Sequence, residues 1–323
     1  MNQDPTLKDI EDAYERIKTM VNKTSILTSK TLNKMVEAKV FLKCENLQRV
    51  GAFKFRGVCN KLLQLTEEEK TKGVVAHSSG NHAQAVALAS SILGIKSVIV
   101  MPENAPKVKV DATKGYGAEI IRCGNNIKAR EETCRQLIEK HGYTLIHPYD
   151  DNHIIAGAGT TALELINEVG CLDYVFCPVG GGGLVSGVSI ATKGLCPKAK
   201  VFAVEPEKAD DAYRSMRDNK LHPSRYPNTI ADGLRTGLSK RTFRIIRKNV
   251  DEIILVSEKE IIDAMRFLWT RMKLVVEPSG AVPLAGLFKK REETKNKKVG
   301  VVISGGNVDL DDFFNKYYQK IKE

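Results

Sequence analysis

No stretch of the 323-residue sequence approaches the roughly 18 consecutive apolar residues that a membrane-spanning helix needs. The amino-terminal segment, MNQDPTLKDIEDAYERIK, is charged and does not resemble a secretion signal, so a cytoplasmic protein with no membrane partner is expected. The seven cysteines, at 44, 59, 123, 134, 171, 177 and 196, form no CxxC pair and are odd in number. This argues against a disulfide framework or structural zinc and for free thiols in a reducing compartment. Six histidines show no HExxH spacing, which leaves zinc catalysis unsupported. Internal repeats and low-complexity linkers are missing too. The formal net charge is +11, but the lysines mostly alternate with glutamates, as in TEEEKTKG and KKREETKNKK. Without a basic stripe or interleaved aromatics, solvated helix faces are expected and a nucleic-acid partner is not.

What is present is a chain long enough for two domains, with 42% hydrophobic and 28% charged residues. Short apolar, β-branched runs recur at 73–77, 96–101, 119–122, 174–179, 201–204 and 299–303, each followed by a turn and an amphipathic stretch. Such runs suit strands buried on both faces, so the pattern predicts an α/β fold of two open, mostly parallel twisted sheets flanked by helices. The rhythm divides into residues 71–149, a small domain expected to close over substrate, and residues 1–70 with 150–323, a large one. Helices are expected in the first 70 residues, and His147 to Asn152 reads as a turn-rich crossing. GAGTTAL, at 157–163, has no strand before it and reads as loop and helix start.

In α/β folds ligands collect at the carboxyl ends of strands. The strand Tyr174 to Val179 runs into Gly180, Gly181, Gly182 and Gly183, after which Leu184 to Ala191 reads as a helix. Bare backbone N–H groups at a helix N-terminus make a phosphate cup. The sequence has neither the GK[ST] of a Walker loop nor the GxGxxG of a dinucleotide site here. Two further strand ends carry hydroxyl, glycine and amide groups: Ser78, Ser79, Gly80, Asn81 and His82, and Ser304, Gly305, Gly306 and Asn307.

One lysine stands in unusual company, in GAFKFRG at 51–57. Between Phe53 and Phe55, Lys54 loses solvation and with it part of its preference for the ammonium form, becoming a usable amine for a Schiff base. An aldehyde cofactor bearing a phosphate, pyridoxal 5′-phosphate, satisfies both the lysine and the cup.

ENLQRVGAFKFRG, SSGNHAQA, PVGGGGLVSG, ADG, MKLVVEPSGA and SGGNVD together resemble the fold type II (tryptophan synthase β-like) pyridoxal-phosphate enzymes, in the serine racemase and serine/threonine dehydratase branch. The resemblance runs from about residue 10 to 315. It implies Lys54 as the Schiff-base lysine, Phe53 beside the ring, Asn81 on the ring 3′-oxygen, Ser304 at the ring nitrogen, and Gly180, Gly181, Gly182, Gly183 and Leu184 on the phosphate. Ser78, Ser79, Asn81, His82 and Glu277 border the substrate, with Ser79 also read as a cap of the following helix and Glu277 as a buried structural partner. Racemisation needs proton-transfer groups on opposite faces of the α-carbon. Lys54 serves one and Ser79 the other, where many dedicated dehydratases carry alanine. The implied activity is interconversion of L- and D-serine with elimination to pyruvate and ammonia. The rivals are a dedicated dehydratase of serine, threonine or 3-hydroxyaspartate, and a non-catalytic binding protein on the same fold.

The resemblance also implies a magnesium or calcium ion on Glu205, the carbonyl of Ala209, and Asp211, and a homodimer. Tyr116 and Asn307 match nucleotide-contacting positions of ATP-activated members. Val50 and Ala52, where the family commonly has hydroxyls, together with Lys30 and Thr31, depart from that pattern and argue against ATP activation. From the last residue of SGGNVD onward, residues 309–323 are expected to suffice for one charged helix and not for a regulatory module.

Overall fold

The computed structural model describes residues 3–105, 107–225 and 227–310. Their strands are β1 (Ile26–Leu27), β2 (Lys39–Cys44), β3 (Val74–His77), β4 (Ser97–Pro102), β5 (Glu119–Cys123), β6 (Thr144–Leu145), β7 (Tyr174–Pro178), β8 (Lys200–Pro206), β9 (Glu252–Val256) and β10 (Lys298–Ile303). They form a six-stranded sheet in the order β1-β2-β10-β7-β8-β9 and a four-stranded sheet in the order β5-β4-β3-β6. Every pairing is parallel except that of β1 with β2. The α/β class with two mostly parallel sheets is therefore the observed fold. β4, β7 and nearly all of β8 and β10 are buried, as strands covered by helices on both faces must be.

The amino-terminal 70 residues are not only helical. KVFLKC forms β2, pairing along its whole length with β10 from Lys298↔Lys39 to Ile303↔Cys44. Other residues of this segment turn the opposite way: Phe55, Val58, Cys59 and Leu62, on the helix Lys54–Leu62, share a core with Val74, Ala76 and Ile99 of the smaller sheet. GAGTTAL lies within the helix Asn152–Val169 rather than at its start. Gly157 lets that helix approach the one beginning at Lys54, since a Cβ there would sit 2.7 Å from the carbonyl oxygen of Arg56.

The expectation of unpaired thiols fails at one place. Cys171 and Cys196, 25 residues apart in sequence, are joined by a disulfide, because the helix after β7 returns the chain to where β7 began. The other five cysteines are free and buried. The terminal helix expected over 309–323 lies outside the described residues beyond 310. No helix among the described residues is long and apolar enough to cross a membrane.

Candidate active site

The carboxyl ends of β3, β7 and β10 deliver their turns to one cavity of about 320 Å³ between the two sheets. Phe53, Lys54, Ser78, Ser79, Asn81, His82, Gly180, Gly181, Gly182, Gly183, Leu184, Glu277 and Ser304 all line it.

Lys54 opens a helix and is presented by a short zipper between two loops. Ala52 bridges Gly305, and the Phe53 amide donates to the Ser304 carbonyl at 3.0 Å. The preceding residues are wound left-handed, Val50 at φ 54° and Gly51 at φ 68°, a rare conformation for a β-branched residue. The Lys54 ammonium lies 5.0 Å from the Phe53 ring centre and donates to the Pro148 carbonyl at 2.6 Å. Burial lowers its pKa to about 8. Of the two flanking phenylalanines, only Phe53 keeps it company; Phe55 is fully buried in the core of the smaller sheet.

The glycine run is shaped by its neighbours as well as by flexibility. A Cβ at Gly181 would meet the Tyr149 ring at 2.4 Å, and Gly182, at φ 86°, would meet Leu238 and Thr242 at 2.8 Å. The run therefore lies bare at the N-terminus of the helix Gly183–Leu195, floored by Tyr149. A phosphate fits this cradle on its backbone N–H groups and the helix dipole, and the desolvated lysine amine fits the aldehyde.

Across the cavity, the helix Asn81–Ile92 has Gly80 as its N-cap with no side-chain capping bond. Ser78 Oγ accepts from the Gly80 amide at 3.2 Å, so the cap reading of Ser79 is not realised. Asn81 Nδ2 donates to Glu277 Oε1 at 2.8 Å, its Oδ1 accepts from Asn307 Nδ2 at 2.9 Å, and a second Nδ2 proton remains. Asn307 Nδ2 also donates to the Val50 carbonyl at 2.7 Å. Glu277 is buried. Buried His82 directs Nε2 at the Ile146 carbonyl, 2.8 Å away, and burial holds its pKa well below the ordinary value. It is thus a neutral imidazole with Nε2 protonated.

Two groups lie elsewhere. Tyr116 packs at the edge of the smaller sheet's core and does not line the cavity, and neither does Asn307. Glu205 and Asp211, both buried, meet beyond the end of β8. Glu205 accepts from the amides of Ala212 at 2.9 Å and Tyr213 at 2.8 Å. Its pKa is pushed well above the usual range by burial and by the neighbouring Asp211, whose own is raised to about 6, chiefly by burial. No described lysine or arginine forms an ion pair with either, so the donor set suits a hard cation. No group of three or more His, Cys, Asp or Glu could hold a metal among the described residues.

Sequence reasoning passed over Arg130, His147, Tyr149 and Thr236, which also line the cavity. The segment read as a crossing, His147-Pro148-Tyr149, is in fact a wall of the site; two aromatic rings and a proline within one turn were the signal. Also missed was Arg56, in the same heptapeptide as Lys54. It is fully buried, grips Glu45 at 2.7 and 2.9 Å and Glu164 at 2.8 Å twice, and lies in a network completed by Lys43, 2.6 Å from Glu164.

A phosphate cradle, a desolvated lysine and a ring-sized cavity between two parallel sheets define the site of an aldehyde-phosphate enzyme. The chain belongs to the pyridoxal-phosphate dependent enzyme family, whose profile matches residues 17–305. It is 50% identical to a serine racemase of Dictyostelium discoideum over 94% of this chain and 95% of that protein. It is 52% identical to an L-threo-3-hydroxyaspartate ammonia-lyase of Saccharomyces cerevisiae, over 95% and 94%. Maize serine racemase, a solved structure, superposes with a TM-score of 0.96 at 40% identity, covering 99% of each chain.

Proposed function

We propose that this protein interconverts L- and D-serine and also eliminates water from serine to give pyruvate and ammonia. The observation that carries the reading is that Lys54 and an uncapping Ser79 line the same cavity as the glycine cup. Pyridoxal phosphate, when bound, supplies an electron sink for the pair left behind when the α-proton departs.

The chain's own groups do the rest. Gly180 to Leu184 hold the phosphate through backbone N–H groups, and Ser304 faces the ring nitrogen. The free Asn81 Nδ2 proton meets the ring oxygen, while Glu277 and Asn307 fix the amide's orientation. Ser78, Ser79 and the amides that open the helix Asn81–Ile92 receive the substrate carboxylate. With its imidazole committed to Ile146, His82 contributes its backbone amide. Lys54 Nζ moves the α-proton on one face and Ser79 Oγ on the other. Glu205, the Ala209 carbonyl and Asp211 hold magnesium or calcium, and residues 71–149 close over bound substrate. The protein works as a homodimer. Asn307, a nucleotide-contacting position by resemblance, commits its Nδ2 group to the Val50 carbonyl and Asn81 Oδ1.

Incubation of the holoenzyme with L-serine, followed by chiral amino-acid analysis and a pyruvate assay, tests the reading; pyruvate without D-serine would overturn racemisation. Ser79→Ala should suppress racemisation of L-serine and spare more of the elimination, and equal retention of both would make Ser79 structural. Lys54→Ala should lower both by about 10⁴-fold or more.

A second reading has one observation behind it. Arg130 reaches the cavity wall with Nε buried and unpaired, a cation suited to a second carboxylate, and the yeast relative acts on L-threo-3-hydroxyaspartate by name. The same assay with that substrate separates a dehydratase from a racemase.

A further inference from the structure

The disulfide between Cys171 and Cys196 encloses one functional unit. Within its 25-residue span lie β7, the glycine cup and the helix Gly183–Leu195, of which Cys196 is the C-cap. Cys171 follows directly on Gly170, the C-cap of the helix Asn152–Val169. The disulfide thus pins the C-terminal ends of two helices. These helices pack backbone to backbone, since a Cβ at Gly187 would lie 2.3 Å from the Ile155 carbonyl oxygen and 2.5 Å from the Gly159 nitrogen. Their N-terminal ends meet at the cup, where Tyr149, just ahead of one helix, floors the glycines that open the other. A close-packed pair of this kind transmits a constraint from one end to the other.

The cysteines differ in access. Cys171 is exposed and Cys196 buried, while the five free thiols are all buried. Burial pushes Cys44, Cys59 and Cys134 to about 12 and raises Cys123 and Cys177. Thiol chemistry is therefore directed to the 171–196 pair.

We propose that Cys171 and Cys196 form a reversible thiol–disulfide site, addressed by low-molecular-weight disulfides of the glutathione type, that tunes how firmly the glycine cup holds its phosphate. The Cys171 thiolate attacks the incoming disulfide, forming a mixed disulfide and releasing one thiol. The Cys196 thiolate then attacks the Cys171 sulfur and releases the second. One S–S bond breaks and one forms at each step; two electrons pass from the cysteine pair to the small disulfide, and the two thiol protons end on the released thiols. The effect on the cup rests on the phosphate-binding reading above; the thiol chemistry does not.

The test equilibrates holoenzyme across graded ratios of reduced to oxidised glutathione, then measures alkylation of each cysteine by mass spectrometry, melting temperature and the rate of cofactor release. Cys171 and Cys196 should become alkylatable together in one transition while the other five stay protected. Reduction should lower the melting temperature by about 5 °C or more and speed cofactor release by about threefold to tenfold. Cys171→Ser should match the reduced wild type in both readouts and ignore the glutathione ratio. Alkylation of Cys171 across the whole range, or identical melting of wild type and Cys171→Ser under oxidising conditions, would overturn the site. Thiol and melting transitions with unchanged cofactor release would overturn the coupling to the cup. Protein that retains no cofactor in either state would refute the phosphate-cup reading, with the thiol titration unaffected.

Discussion

Two pairs of buried carboxylates divide the molecule. Behind the helix that begins with Lys54, Glu45 and Glu164 are matched by Arg56 and Lys43. Burial alone would raise the pKa of Glu45, but the Arg56 charge and hydrogen bonds more than offset this and hold it below the usual value. At the end of β8, Glu205 and Asp211 are buried as deeply with no paired cation among the described residues, and both pKa values rise. The same residue type under the same burial is closed in one place and open in the other. The lysines repeat the contrast: Lys43 donates to the carboxylate of Glu164, whereas Lys54 donates to the Pro148 carbonyl, lies over the Phe53 ring and lines the cavity. A charge matched within the fold is structure, and one left open is a place for something from outside.

The contrast breaks most visibly at Arg56. Arg56→Met leaves the two buried carboxylates with Lys43 as their single cation and should cost about 3–5 kcal/mol in chemical denaturation. A loss below about 1 kcal/mol would mean that the network contributes little. Next, added magnesium should raise the melting temperature of chelator-treated protein by about 5 °C at a hundredfold excess over Kd, through Glu205 and Asp211. No shift with magnesium or calcium would remove the ion from the proposed function.

The two pairs should also respond to pH with opposite sign. The Asp211 pKa is raised, so in metal-free protein its contribution is fully present below the unfolded value near about 4 and lost as pH rises through about 6. The Glu45 pKa is lowered, so its contribution is present above about 4 and lost only as pH falls further. Between about pH 4 and 6, the interval between the unfolded and folded Asp211 values, the melting temperature of chelated protein should therefore fall as pH rises, and the magnesium response should grow. Asp211→Asn, which still accepts from the Leu238 amide, should reduce that slope and leave the part due to Glu205, add about 1 kcal/mol at neutral pH without metal, and abolish the magnesium response. The smallest effect is kinetic: cofactor capture by apoprotein should rise with pH around a midpoint near about 8, where Lys54 becomes neutral. A midpoint near about 10 would show an ordinary, hydrated lysine.

Much of this was legible in the chain. The six strands read from apolar runs are present with boundaries within two residues of those read; β4, β7, β8 and β10 stand out because strands covered on both faces need continuous apolar sequence. The glycine cup followed from four glycines between such a strand and a helix. β2 was missed because the lysines of KVFLKC disguise a strand; buried Lys43 is tolerated there because Glu164 reaches it from a helix far along the chain and the Thr24 carbonyl accepts from it as well.

The sequence by itself determined the fold class, the glycine cup and the candidacy of Lys54, since each depends on residue type and spacing within short segments. The tertiary structure alone decided that Phe53 and not Phe55 faces the lysine, that Ser79 does not cap its helix, that His147 to Tyr149 form a wall, and that Cys171 meets Cys196. These depend on the distance and direction between atoms far apart along the chain, and local periodicity carries no information about either.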